Sequence, residues 1–200
     1  RTSASGGVAA EIYKYALKKG WSIVGASFCE DFKVRLELAD DLDAIKKFKN
    51  SKYVFSSTAD IFHKIAQKLK EGGKIVVIAL PCQIAAIRKI FHDKLDDLLL
   101  VDLVCHGTMP YEYLKQYIGY IEKSYCKKAV RLTFRDPAKG TENFALSLYD
   151  EKDVCFYSCA SFEDIYQFAY HCMVAYRENC YHCCYANSNR VSDITLSDYK

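Results

Sequence analysis

Two apolar runs limit the folds open to this chain more than any other feature. Lys74–Leu80 and Leu98–Val104 are nearly unbroken stretches of Ile, Val and Leu. Each is strand-sized and apolar on both faces, so each needs cover from both sides, as strands of a parallel sheet have. Between them Pro81 suits the first position of a helix, here Cys82–Phe91. Strand, helix, strand and then a further helix after Pro110 is the rhythm of a parallel α/β unit.

The flanking sequence extends that unit. Val8–Lys19 has a helical pattern that ends at Gly20. Trp21–Phe28 and Lys33–Ala39 read as two strands around a Glu30-Asp31 turn. Asp40–Lys49 starts with acids and ends with bases, as the helix dipole favours. Ser57–Glu71 carries Ile61, Ile65 and Leu69 on one helical face, and Gly72-Gly73 stops it. Residues 129–158 change character. Ala129–Arg135, Phe144–Tyr149 and Val154–Ser158 alternate between turn-forming residues, predicting an antiparallel meander. Ser161–Tyr170 returns to helix, 177–190 is a cysteine-rich loop, and Asp193–Asp198 closes as a short strand. The expected fold is α/β: a largely parallel or mixed sheet with flanking helices, plus a small antiparallel β meander. Residues 1–200 are read as one domain.

At 200 residues and 22.9 kDa the chain can bury a core without disulfide support. Its 28 basic and 25 acidic residues give a net charge of +3, too balanced to mark a nucleic-acid binder. Sixteen tyrosines are spread along the whole chain, with no clustering into a nucleic-acid platform. No apolar run approaches the ~20 residues of a membrane-spanning helix.

The outlying count is ten cysteines. A disulfide framework suits small secreted domains, but this chain shows no signal peptide and no Asn-x-Ser/Thr acceptor. Reduced thiols in the cytoplasm are the expectation, some of them binding metal. Cys180-x-x-Cys183 spaces two thiols to share one centre, which fits zinc, an iron–sulfur cluster or a redox disulfide. Two buried free cysteines would look the same, and Cys184 beside them complicates the choice. Cys82 and Cys105 each follow a buried strand, and strand C-termini share one edge of an α/β sheet, where ligands bind. The Cys180 loop would fold over that edge. Cys82 also sits at a helix N-terminus, which is expected to favour its thiolate. Cys105 would otherwise be a core residue at a strand end.

Three further features allow a functional and a plain reading. Ser3-Ala4-Ser5-Gly6-Gly7 before a helix suits a dinucleotide pyrophosphate, or a simple Ser cap with flexible glycines. Lys52 would meet a phosphate and Tyr53 would stack on a ring, or both are ordinary half-solvated side chains. His106 would relay a proton or donate to a thiolate or flavin, or is a satisfied structural histidine. The chain has no P-loop, no Ser/His/Asp arrangement and no zinc-protease helix.

These stretches together form a familiar pattern. SASGGV (Ser3–Val8), SKY (Ser51–Tyr53), PCQ (Pro81–Gln83), DLVCHG (Asp102–Gly107), FRD (Phe134–Asp136), RENCYHCCYA (Arg177–Ala186) and RVSDITLSD (Arg190–Asp198) follow one another in order. In this the chain resembles the C-terminal flavin and iron–sulfur domain of the coenzyme F420 hydrogenase/dehydrogenase beta-subunit family. It departs from that pattern at Ala79-Leu80, where a Gly-Thr pair is common, and at Ser197, where Gly is common. The resemblance implies an oxidoreductase carrying FAD and a [4Fe–4S] cluster, with cluster ligands at Cys82, Cys105, Cys180 and Cys183. It implies flavin contacts at Ser3, Ser5, Gly6, Gly7 and Lys52, and further cofactor contacts at Ser51, Tyr53, Pro81, Gln83 and His106. Electrons would pass between a ferredoxin-like partner and a small, low-potential acceptor such as coenzyme F420. The cofactors carry the chemistry, so no side chain is assigned as a catalytic acid or base. The alternative is a structural zinc-binding or cofactor-free domain that docks a partner.

Overall fold

The computed structural model describes residues 7–198. In chain order the elements are α1 (Val8–Lys18), β1 (Ser22–Phe28), β2 (Val34–Ala39), α2 (Asp43–Phe48), β3 (Ser56–Ser57), α3 (Ile61–Lys70), β4 (Ile75–Ala79) and α4 (Pro81–Ile90). They continue with β5 (Leu98–Leu103), α5 (Tyr111–Tyr125), β6 (Arg131–Thr133), β7 (Leu146–Tyr149), β8 (Cys155–Cys159), α6 (Ile165–His171), the single turn α7 (Glu178–Tyr181) and β9 (Ile194–Leu196).

A mixed sheet in the order β3-β2-β1-β4-β5-β9 forms the centre. β1, β4, β5 and β9 run parallel, and β2 is antiparallel to β1. Side-chain alternation along β4 sends Ile75, Val77 and Ala79 to one face, against Ile61 and Ile65 of α3 and Ile84 and Ile87 of α4. Val76 and Ile78 go to the other face, against Ala10 and Tyr13 of α1 and Ala44 and Ile45 of α2. Every residue of β4 is buried, as its apolar run requires. Burying one such Val or Ile contributes about 1.5–3 kcal/mol.

The meander of β6, β7 and β8 is antiparallel and forms a second, three-stranded sheet. Its core is shared with α5 and α6 and includes Leu114, Ile118, Leu132, Phe134, Leu148 and Tyr166. The FRD stretch anchors this layer. Phe134 is fully buried, Arg135 donates to Asp198 at 3.0 Å, and the Asp136 carboxylate accepts from the Tyr149 hydroxyl.

Three helices begin later than the sequence pattern places them, and ahead of each start a side-chain oxygen bonds a nearby backbone amide. The Asp41 carboxylate accepts from the Ala44 amide (2.9 Å), so α2 starts at Asp43 rather than Asp40. The Ser57 hydroxyl accepts from the Ala59 amide, closing a turn after the β3 bridge, and α3 starts at Ile61. Asp164 caps α6 through the Gln167 amide (2.8 Å), displacing its start from Ser161 to Ile165. The cysteine-rich loop expected over 177–190 contains the short helical turn α7.

Candidate functional site

β4 and β5 are parallel and in register, with Ala79 opposite Asp102. Their C-termini therefore deliver Cys82 and Cys105 to the same edge of the sheet. Cys82 is the second residue of α4, whose Pro81 occupies N1. Cys105 lies two residues past β5. The cysteine-rich segment crosses that edge. The Arg177 amide donates to the Thr108 carbonyl at 2.9 Å, and the Cys180 amide donates to the Arg177 carbonyl at 2.8 Å, so α7 is tied to the segment after β5 that carries Cys105. A cavity of about 40 Å³ results, and Cys82, Cys105, Cys180 and Cys183 all line it. No carboxylate lines it. All ten cysteines are free thiols, and the disulfide framework is absent among the described residues.

The environment holds two of these thiols in their protonated form. Burial, aided by the other three cysteines, pushes the Cys105 thiol up to about 11. Cys82 is the exposed member of the set, yet the surrounding protein and neighbouring Cys183 also push its thiol up. This corrects the expectation that the α4 N-terminus favours the Cys82 thiolate. Backbone amides at the helix start do act in that direction, but the desolvation penalty outweighs them. Among the described residues no three His, Cys, Asp or Glu side chains stand close enough to grip a single ion. The expected donors lining the cavity are four thiols, with His106 the other side chain of ligand type. A lone tetrahedral zinc would draw its sulfurs to within ~3.8 Å of one another.

The other predicted positions separate into two groups. Pro81 and His106 line the cavity. The His106 Nδ1 bonds the Tyr176 hydroxyl, and burial holds its pKa below the usual histidine range. Gln83 is engaged internally: its Nε2 donates to the Ser56 carbonyl (2.8 Å) and its Oε1 accepts from the Leu80 amide (3.1 Å). Lys52 is half-buried and its Nζ donates to the carbonyls of Phe48, Lys49 and Asn50 around the end of α2. Tyr53 stacks on Tyr170 with ring centroids 4.5 Å apart, and Ser51 lies beside it. Gly7 adopts a left-handed conformation (φ +84°) just before α1. Ser3, Ser5 and Gly6 lie outside the described residues.

Residues 72–200 match the family described as the C terminus of the beta subunit of coenzyme F420 hydrogenase/dehydrogenase. The chain belongs to this family. The match contains all four cavity cysteines and the PCQ, DLVCHG and RENCYHCCYA stretches, whereas SASGGV and SKY precede it. Membership in this beta-subunit family makes the chain a relative of hydrogenase and dehydrogenase subunits, and hence of redox proteins. The fold agrees with one polypeptide of the xenon-derivatised F420-reducing [NiFe] hydrogenase complex from Methanosarcina barkeri, at a TM-score of 0.60 and 19% sequence identity. The superposition covers 91% of this chain and 60% of that one, so this chain spans somewhat under two thirds of its structural neighbour. Comparison with curated proteins found no match.

In this member of the beta-subunit family the cavity is completed by residues outside the expected site set. Phe55 lines it under the Arg177 guanidinium, which sits 3.6 Å from the ring centroid. The Thr108 hydroxyl lies 3.7 Å from the Cys180 sulfur. Tyr176 packs over Gly107, which has φ +138° and no room for a side chain. A Cβ at Gly107 would fall within the Tyr176 ring, and few L-residues accept that backbone angle. Gly107→Ala is therefore expected to destabilise the fold by about 2–3 kcal/mol, a clash added to backbone strain. Urea denaturation checks this. An unchanged midpoint would mean that Tyr176 swings away without cost.

Proposed function

We propose that this chain is the electron-transfer module of a redox enzyme and that Cys82, Cys105, Cys180 and Cys183 hold a [4Fe–4S] cluster. One observation carries this reading: two strand ends and one cysteine-rich segment, remote in sequence, deliver four thiols and no carboxylate to one cavity. Four thiols and no carboxylate fit a thiolate-ligated cluster. When bound, the cluster supplies one-electron transfer.

The chain's own residues set the conditions. Cys82 stands at the exposed rim, so electrons enter or leave on the side of the α4 N-terminus, where a ferredoxin-like partner or other redox partner would dock. Thr108 offers its hydroxyl to Cys180, which would tune the potential through a second hydrogen-bonded layer. Phe55 and Pro81 exclude water from the inner wall. FAD is also implied by the resemblance; Lys52, Tyr53 and Gln83 engage internal partners here, and Ser3, Ser5 and Gly6 lie outside the described residues. No step is derived through a flavin. Transfer to a small acceptor of the coenzyme F420 class rests on the family relation alone. Among the described residues no helix is long and apolar enough to cross a membrane.

Cluster loading should depend on pH with a definite sign. Cys82 and Cys105 have raised pKa values and must each release a proton to bind metal. Below those pKa values every proton released makes loading about tenfold more favourable per pH unit. Apparent iron affinity should therefore rise steeply from about pH 6 to about pH 8, with these two thiols together contributing about a hundredfold per unit. Anaerobic competition against a chelator of known pH dependence measures it. A pH-independent affinity would show that buried thiols are not the ligands.

A further inference from the structure

The arginines of this molecule share one habit, with one exception. Arg35, Arg88, Arg131, Arg135 and Arg190 each pair with a carboxylate, on Glu37, Asp193, Asp153, Asp198 and Asp102 in turn. Arg177 is the remaining arginine among the described residues, and it has no carboxylate partner there. Glu178, its neighbour in sequence, stands apart, 4.0 Å from the His182 Nε2. Arg177 is half-buried and lines the thiol cavity. No other lysine or arginine lines that cavity, and no aspartate or glutamate does.

A surface cation on a free side chain needs no partner, but Arg177 is held in place. Its amide donates to the Thr108 carbonyl at 2.9 Å, and its carbonyl accepts from the Cys180 amide at 2.8 Å. Its guanidinium rests on the Phe55 ring, 3.6 Å from the centroid. The Phe55 amide in turn donates to the Met109 carbonyl at 3.0 Å. Thr108 and Met109 are both buried. Two consecutive carbonyls shortly after Cys105 therefore fix the cation and the platform beneath it. Attraction between a guanidinium and an aromatic face accounts for the stacking. It leaves the positive charge without a counter-ion, at the wall of a cavity with four thiols. A guanidinium keeps its charge at every pH a protein meets, so the site calls for an anion.

We propose that Arg177 is the counter-charge of the redox centre, a fixed cation that stabilises four cysteine thiolates and the further negative charge that arrives with an electron. This rests on the cluster reading above. An iron–sulfur core held by four thiolates is an anion, and one electron makes it more negative. That electron comes from the redox partner, which is oxidised by one electron. Arg177 forms and breaks no bond and releases no proton. Its charge favours the reduced state over the oxidised one and so raises the reduction potential. Phe55, by keeping the guanidinium at the wall, makes that contribution constant rather than averaged over side-chain motion.

Anaerobic redox titration of the iron-loaded chain at fixed ionic strength, followed by visible absorption, tests this. Arg177→Gln keeps a planar amide and removes the charge. Its reduction equilibrium is expected to shift about tenfold toward the oxidised form, which is about 59 mV for a one-electron couple. Arg177→Lys keeps the charge and should retain most of the wild-type potential. A wild-type potential in Arg177→Gln at full iron would overturn the counter-charge role. Equal falls in Arg177→Gln and Arg177→Lys would overturn it too, because packing rather than charge would then be responsible. Arg177→Met is the second neutral variant, used if Arg177→Gln takes up too little iron to titrate. Poor loading in both neutral variants with full loading in Arg177→Lys supports the role, since the cation is then needed to gather the thiolates. Poor loading in all three assigns the side chain to structure and overturns it. A wild-type chain that binds no iron overturns the cluster reading and the counter-charge together, and the iron count tells that result from the others.

Discussion

Anaerobic reconstitution with iron and sulfide is expected to turn the protein brown, with about four irons and four sulfides per chain, and Cys183→Ala is expected to abolish that centre. Cys183 is one of four thiols around a cavity that no carboxylate lines, and Cys184, the adjacent thiol, is exposed and not among the lining residues. Removing one thiolate leaves three, and free energy of metal binding to the folded state is free energy of folding. The variant should therefore lose several kcal/mol relative to the loaded wild type, and little relative to the metal-free wild type. Cys184→Ala is the control and should retain full iron and stability. Iron and sulfide analysis with denaturant midpoints measures both. One zinc with no iron would establish the structural-zinc alternative, and a Cys183→Ala protein with full iron would remove Cys183 from the ligand set.

The second large effect is expected at Arg190, far from Cys82 and Cys105 in sequence. Asp102 near the end of β5 has a side chain with no solvent exposure, and Arg190 pairs with it at 2.8 Å. The same stretch is held again by Arg88, which pairs with Asp193, while the Asp193 Oδ2 accepts from the Leu100 amide at 2.8 Å. These bonds bring β9 beside β5 and bind the segment carrying Cys180 and Cys183 to the strand that leads to Cys105. Arg190→Ala leaves Asp102 buried and uncompensated, which costs about 3–5 kcal/mol. For a chain of this size that corresponds to a fall in Tm of roughly 6–20 °C. Iron loading should fall in parallel, because the ligand segment loses its tie to β5. Replacing both partners, Asp102→Leu with Arg190→Met, should recover most of the stability, since it removes the stranded charge as well as the pair. If the double variant is no more stable than Arg190→Ala, the loss comes from something other than the isolated carboxylate.

These predictions join motifs that a linear reading keeps apart. DLVCHG supplies Asp102 and Cys105, RVSDITLSD supplies Arg190 and Asp193, and the ion pair and hydrogen bonds between them bring Cys105 and Cys183 to one cavity. The repeated appearance of charged residues beside the cysteines thus has an architectural cause. They close the sheet edge on which the thiols converge.

The chain alone determined most of the strands and helices and the convergence of four thiols on one cavity, though not the two-residue strand β3, for one physical reason. Unbroken apolar runs such as Ile75–Ala79 can be stable only with cover on both faces, and parallel strands then present their C-termini, with Cys82 and Cys105, to a common edge. Local capping by Asp41 and Asp164 shifted helix starts by a few residues, because a side-chain oxygen competing for an amide leaves little trace in hydrophobic periodicity. What tertiary structure alone decided is the use made of each polar group. In sequence Lys52 is free to meet a phosphate, but it folds back onto three carbonyls. The helix position of Cys82 suggests a thiolate, but burial reverses the sign. Sixteen scattered tyrosines carry no signal, yet packing stacks Tyr53 on Tyr170 and brings the Tyr117 and Tyr157 hydroxyls onto the buried Asp164 carboxylate. Periodicity encodes which face of an element is apolar. Partners for charge and hydrogen bonds come from distant segments, 63 residues apart for Arg135 with Asp198 and 88 for Asp102 with Arg190, about which local sequence carries no information.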